Sequence, residues 1–169
     1  MNRPDISVAR RDLGRLDTLL GAAGNRLGKA GAFLLDEITR ARIVRDHEIP
    51  PTLVTMGATA RFRDEESGRE CIVRLVYPHE ARTWDQSVSV LTPVGAALLG
   101  LSEGQSIDYE TVDGRVKTIT VLKVVGSAPG GAAHRFTELE FAPGLAAAAR
   151  ARSLTYAPRS ASTVSKLEK

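Results

Sequence analysis

Ser87 to Asp108, SVSVLTPVGAALLGLSEGQSID, admits few conformations, and the rest of the chain has to accommodate it. Val88, Val90 and Val94 are β-branched and apolar among small polar residues, so the stretch opens as a strand. Thr92-Pro93 stops it, because proline has no N–H to give a ladder and its fixed φ suits the first turn of a helix. From Pro93, Val94, Ala97, Leu98 and Leu101 recur at spacings of three and four, which gives a short helix one apolar face. Gly100 and Gly104 close that helix, and Ser106-Ile107-Asp108 begins the next strand. The result is a compact strand–turn–helix–strand unit.

The surrounding segments are strand-like: Leu53 to Met56, Thr59 to Asp64, Glu70 to Tyr77, Ser87 to Leu91, Ser106 to Thr111 and Lys117 to Val125. Glu66-Ser67-Gly68 and Asp113-Gly114 are hairpin turns, Asp-Gly being a strong signal. Strands with one short inserted helix predict an α+β domain, a small curved antiparallel sheet wrapped on that helix.

Ahead of this domain the periodicity is helical. Val8, Leu13, Leu16, Leu19 and Leu20 predict a helix over Ile6 to Leu20, with Ser7 or Asp5 as N-cap. Residues 21–31, GAAGNRLGKAG, hold four glycines and no acid, and read as a loose turn. A second helix is expected over Ala30 to Asp46, burying Phe33, Leu34, Leu35, Ile38, Ala41, Ile43 and Val44, until Pro50-Pro51 stops it. Two helices joined by a short loop make a short antiparallel αα-hairpin. The expected organisation is a helical hairpin over 1–49, the sheet domain over 50–126 and a tail over 127–169. The tail is poor in bulky apolar residues and is expected to be largely disordered, FTELEF (Phe136 to Phe141) being a candidate strand.

The chain of 169 residues carries a formal charge of +3 and a pI near 9.3, mildly basic and well mixed. Leu145 to Lys169 holds five Lys or Arg against one acid, enough for weak non-specific contact with nucleic acid and no more. Cys71 is the single cysteine, so no intrachain disulfide is possible. No apolar leader and no run of about 18 apolar residues occurs, which points to a cytoplasmic location and no membrane contact.

Residues with chemical potential do not assemble into a catalytic set. Asp36 and Glu37 are adjacent on a helix and point about 100° apart, so they do not converge on one ion. Asp64, Glu65 and Glu66 belong to a hairpin turn. His47, His79 and His134 have no ligand spacing; Cys71 sits where a strand needs a small buried hydrophobe. The glycines at 21, 24, 28 and 31 follow no strand, and Lys29 precedes Ala30 instead of Ser or Thr, so no phosphate loop is formed. Trp84 either pins its polar loop or anchors a partner. No cofactor, no metal and no catalytic residue is expected.

Val54-Thr55-Met56, Val73-Arg74-Leu75-Val76-Tyr77-Pro78 and Pro93-Val94-Gly95-Ala96-Ala97-Leu98-Leu99-Gly100-Leu101 carry a family resemblance over about residues 2–125. The chain is similar to the bacterial GreA/GreB transcript-cleavage factors, and looks most like the Rnk branch of that superfamily, the regulators of nucleoside diphosphate kinase. The resemblance implies an FKBP-like C-terminal domain that docks on RNA polymerase near its secondary channel. It implies a contact through the turn before the short helix, here Leu91, Thr92 and Pro93, with a coiled coil of the β′ subunit. Leu91 stands where the family places an acid, so a charge-assisted contact is absent.

Gre factors carry acidic residues on a long coiled-coil tip. Here the tip charges are Arg26 and Lys29, which cannot chelate Mg²⁺, and a helix of about 15 residues spans only about 22 Å. The expected role is therefore non-catalytic: a monomer that occupies or modulates the channel, with any effect on nucleoside diphosphate kinase arising through transcription. Transcript cleavage, FKBP-type peptidyl-prolyl isomerisation or peptide binding, and direct nucleic-acid binding through the basic tail and Arg3, Arg10, Arg11 and Arg15 are the alternatives. The second needs an aromatic-lined pocket, for which only Phe62, Tyr77, Trp84 and Tyr109 are available.

Overall fold

The computed structural model describes residues 2–24, 27–81 and 86–125, all within one compact unit, Met1–Arg135. Arg26, Trp84, His134 and the expected tail over 127–169 lie outside the described residues.

Helix α1 spans Arg10–Ala23 and α2 spans Lys29–Arg40. Asp12, Leu16 and Leu20 of α1, and Gly31, Leu34, Glu37 and Ile38 of α2, are buried at the spacings of a single helical face. Both ends differ from the sequence expectation. Ser7–Ala9 is a strand, β1, so α1 starts at Arg10 behind Ala9, which offers no side-chain cap. Helix α2 stops at Arg40, and Arg42–Val44 forms β2, paired in parallel with β1 in the register Ser7↔Arg42, Val8↔Ile43 and Ala9↔Val44. The β-branched pair Ile43-Val44 gains ladder partners there that a seventh half-turn of helix would not supply. Leu35 and Ile43, expected inside, are exposed.

The second half follows the predicted alternation closely: β3 Thr59–Asp64, β4 Glu70–Val76, β5 Ser87–Ser89, α3 Pro93–Leu98, β6 Ser106–Glu110 and β7 Val116–Val125. Leu53 to Met56 is not a strand; it makes one bridge, Leu53↔Ser102, and backbone bonds to Gly100 and Leu101. The sheet order is β5-β4-β3-β7-β6, and it is mixed, because β5 pairs with β4 in parallel while every other pair is antiparallel. The 10 residues between Val76 and Ser87, opening with the 3₁₀ turn Pro78–Glu80, bring the chain back in the same direction, where a two-residue hairpin would have reversed it.

One continuous core joins the two halves. Leu16, Leu20, Leu34 and Ile38 of the helices pack with Val54, Leu75, Leu98, Leu101, Ile107, Ile119 and Val121. Helix α2 lies on α3, so it is a wall of the domain along its length. Gly100 makes this closure possible. It has φ +80°, and a Cβ there would stand 2.8 Å from the Ser7 carbonyl. Its N–H donates to Val54 and its own carbonyl accepts from Ser7 N–H at 3.1 Å, tying α3 to β1.

Candidate functional site

Strand β5 ends at Ser89, and the chain then turns across the surface into α3. The Val90 N–H donates to the Val76 carbonyl at 2.9 Å, which fixes the turn to β4. Ser89 serves the turn three times. Its carbonyl accepts from the Thr92 N–H at 2.9 Å and from the Thr92 hydroxyl at 2.7 Å, and its Oγ accepts from the Leu91 N–H at 3.3 Å. Thr92 Oγ1 also accepts from the Gly95 N–H at 3.2 Å, the N-cap bond of α3, with Pro93 in the first helical position. Gly95 is buried, and a Cβ there would lie 2.1 Å from the Ser89 carbonyl oxygen, so this packing of turn on helix requires glycine.

Leu91, Thr92, Pro93 and Val94 are half-buried, while Val90 and Ala96 to Leu99 beneath them are buried. No charged residue occurs from Ser87 to Ser102. The site is thus a neutral, largely apolar projection whose backbone is fixed before any partner arrives, and preorganisation of this kind lowers the cost of association. The Thr92 hydroxyl is committed as both donor and acceptor, so the turn can bind but carries no nucleophile or acid–base group. Leu91, Thr92 and Pro93 form the turn before α3, and Ser89 and Gly95, which the sequence did not single out, hold it from three residues either side of Thr92.

The remaining candidates are placed separately. Lys29, at the start of α2, is ion-paired with Glu110 at the end of β6, so its charge is matched locally. Asp36 and Glu37, expected not to converge on one ion, instead both meet the guanidinium of Arg3, and Glu37 is buried. Arg3 reaches Asp36 at 2.6 Å and Glu37 at 3.1 Å, Arg40 pairs with Glu37, and the Arg3 guanidinium lies 5.0 Å from the centre of the Phe33 ring. In the β3–β4 turn, Asp64 accepts from the Ser67 N–H at 2.8 Å and pairs with Lys117 at 3.0 Å; these bonds hold its carboxyl below the usual aspartate range.

Cys71 is exposed, which corrects the expectation of a buried thiol. It shares the parity of Val73 and Leu75 and pairs across the sheet with Phe62, at the end of β4 nearest the β3–β4 turn. Partial burial and the Asp64 charge still raise its pKa, which disfavours the thiolate. Where α1 meets the sheet, Asp12 accepts from the Met56 N–H at 3.2 Å, and burial raises its pKa. Arg15 lies over the Tyr77 ring at 4.7 Å, and burial, reinforced by Asp12, pushes the Tyr77 phenol up to about 12.

N-terminal helices followed by a curled mixed sheet make a GreA/GreB-like fold, and the comparisons agree. Residues 49–125 match the family "Transcription elongation factor, GreA/GreB, C-term", and residues 4–44 match "Rnk N-terminus". The regulator of nucleoside diphosphate kinase from Escherichia coli strain K12 is 36% identical over 128 residues, covering 73% of this chain and 91% of that protein. The transcription elongation factor GreA of Syntrophobacter fumaroxidans is 40% identical over 68 residues, 40% of this chain and 43% of that factor. Among solved structures, a prokaryotic transcription elongation factor GreA/GreB from Nitrosomonas europaea superposes with a TM-score of 0.58 at 38% identity, covering 73% of this chain and all of that one. The chain belongs to the Rnk family, the regulators of nucleoside diphosphate kinase, built from an Rnk-type N-terminal segment and a GreA/GreB-type C-terminal domain.

Proposed function

We propose that this protein is a non-catalytic transcription regulator that docks on RNA polymerase near the secondary channel through Leu91, Thr92 and Pro93, and so competes with Gre-type factors. The observation that carries this reading is the Thr92 network: an N-cap, a Ser89 clasp and an obligatory Gly95 hold an uncharged apolar turn rigid at the surface. Such a turn suits insertion against a coiled coil, with apolar contact taking the place of the charge that Leu91 lacks. We take the curled sheet on α3 to be FKBP-like in form but not in activity, since Phe62, Tyr77 and Tyr109 are buried in packing. Docking on the β′ coiled coil as a monomer, and an effect on nucleoside diphosphate kinase through transcription, complete the proposal.

The helical segment supports a modulating role over a cleaving one. At 1.5 Å per residue, α1 of 14 residues and α2 of 12 span about 21 and 18 Å, and α2 is spent on covering α3. Replacing Thr92 and Pro93 together by alanine tests the docking assignment. Co-purification with core RNA polymerase should be lost while the circular dichroism spectrum keeps its native shape; retention of the polymerase by a folded double variant refutes it.

A further inference from the structure

Strands β1 and β2 run in parallel with Ala9 opposite Val44, so the residues that follow each strand emerge side by side. Arg10 and Arg11 follow β1 into α1; Arg45, Asp46 and His47 follow β2. These five residues line a shallow, open groove of about 400 Å³. Arg10 and Arg45 have no carboxylate partner among the described residues, and Arg11 reaches only its own neighbour Asp12, at 4.0 Å. By contrast, Arg3, Arg40, Arg61, Arg63 and Arg115 are each paired with an acid. His47 stands 3.9 Å from Glu48, and Asp46 is the single acid that lines the groove.

Three arginines line one opening beside a single acid, and the planar forks of such side chains match phosphate oxygens two at a time. The start of α1 adds to this field, because no side chain caps its first amides. The cluster is also confined. Among the described residues Arg3 and Arg40 are turned to Asp36 and Glu37 and Arg15 to the Tyr77 ring, while Arg42 is exposed on β2 and not on a helix. No row of free cations continues along the helices as a nucleic-acid backbone would need.

We propose that this groove binds the phosphate chain of a nucleotide. It is separate in sequence from the Thr-Pro turn, and the proposal does not depend on polymerase docking. Titration calorimetry of the full-length chain with adenosine and guanosine diphosphate tests it, with inorganic pyrophosphate and a short single-stranded RNA as separate arms. Saturable binding of the diphosphates, competed by pyrophosphate, is expected. A charge-assisted hydrogen bond is worth about a factor of ten in affinity, so R45Q should weaken binding about tenfold and R10Q/R45Q about a hundredfold. R69Q, which removes the same charge at the end of the β3–β4 turn, should leave it unchanged. In ¹H–¹⁵N spectra the amides of Arg10, Arg11 and Asp46 should shift on titration, which reports the site even if a variant folds poorly. Failure of the diphosphates to saturate at millimolar concentration overturns the proposal, as does equal weakening by R69Q. Binding confined to RNA, with a salt dependence that grows with strand length, also overturns it.

Discussion

Thr92→Ala is the most informative single perturbation, because it separates the rigidity of the turn from its surface chemistry. The substitution deletes two bonds, the hydroxyl donated to the Ser89 carbonyl at 2.7 Å and the acceptor for Gly95 N–H at 3.2 Å. Loss of an N-cap costs about 1 kcal/mol, and α3, of six residues with no acid in its first turn, has no second side chain to take over. Loss of the Ser89 bond costs about another 1 kcal/mol, limited because the Ser89 carbonyl keeps the Thr92 N–H at 2.9 Å. The sum is about 2 kcal/mol, or a Tm lowered by about 8 °C for a unit of this size. Urea unfolding followed by far-ultraviolet circular dichroism measures the stability; binding to core RNA polymerase by biolayer interferometry measures the consequence for function. Thr92→Ser restores the oxygen and should recover most of both, whereas Thr92→Val keeps the shape without the hydrogen bonds and should recover neither. If Thr92→Val matches the wild type in stability and in polymerase affinity, the preorganised-turn argument is refuted.

Other perturbations address separate parts of the account. Leu91→Asp places a carboxylate at the docking position; it should lower stability by about 1 kcal/mol, since Leu91 packs partly on the core, yet raise polymerase affinity about tenfold through a charge-assisted contact, as read from parallel unfolding and binding curves. Glu37→Ala removes the buried acid between Arg3 and Arg40, but both guanidinium groups are partly solvated and keep Asp36 and the Pro4 carbonyl; the cost should be about 1 kcal/mol, read by chemical unfolding. Asp64 has a folded-state pKa below its unfolded value, so its contribution is complete above the unfolded pKa and is lost as pH falls through the folded one. Asp64→Asn should therefore lower stability near pH 7 and make the protein less sensitive to acid below about pH 4. An acid-unfolding profile with an unchanged slope contradicts this assignment.

The sequence carried the sheet domain well because its signals are local. The run from Thr59 to Asp64 alternates cleanly, Asp113-Gly114 specifies its own turn, and Pro93 marks the first residue of α3 through its missing N–H. What escaped depends on partners distant in the chain. Arg42-Ile43-Val44 fits a helical face as well as a strand, and only pairing with Ser7–Ala9 decides between them. The parallel pairing of β5 with β4 follows from a connection with no pattern of its own. The burial of Glu37 has no local mark, because one of its two guanidinium partners comes from Arg3, 34 residues away, and the other from Arg40. The Thr92-Pro93 turn was legible; the Ser89 clasp was not, since a serine ending a strand has no distinctive signature. The Arg10–Arg45 groove was hidden for the same reason as β2, because it exists only once the two short strands are paired.

The central claim is that this turn occupies the place on RNA polymerase that a Gre-type factor takes. Its most direct test is equilibrium competition: core polymerase labelled for fluorescence anisotropy, saturated with this protein, and titrated with a purified Gre factor. The account predicts complete displacement along a single competitive isotherm, with the Thr92/Pro93 double alanine variant unable to displace the Gre factor in the reverse titration. Simultaneous binding of both proteins to one polymerase, or undiminished competition by the double variant, contradicts it.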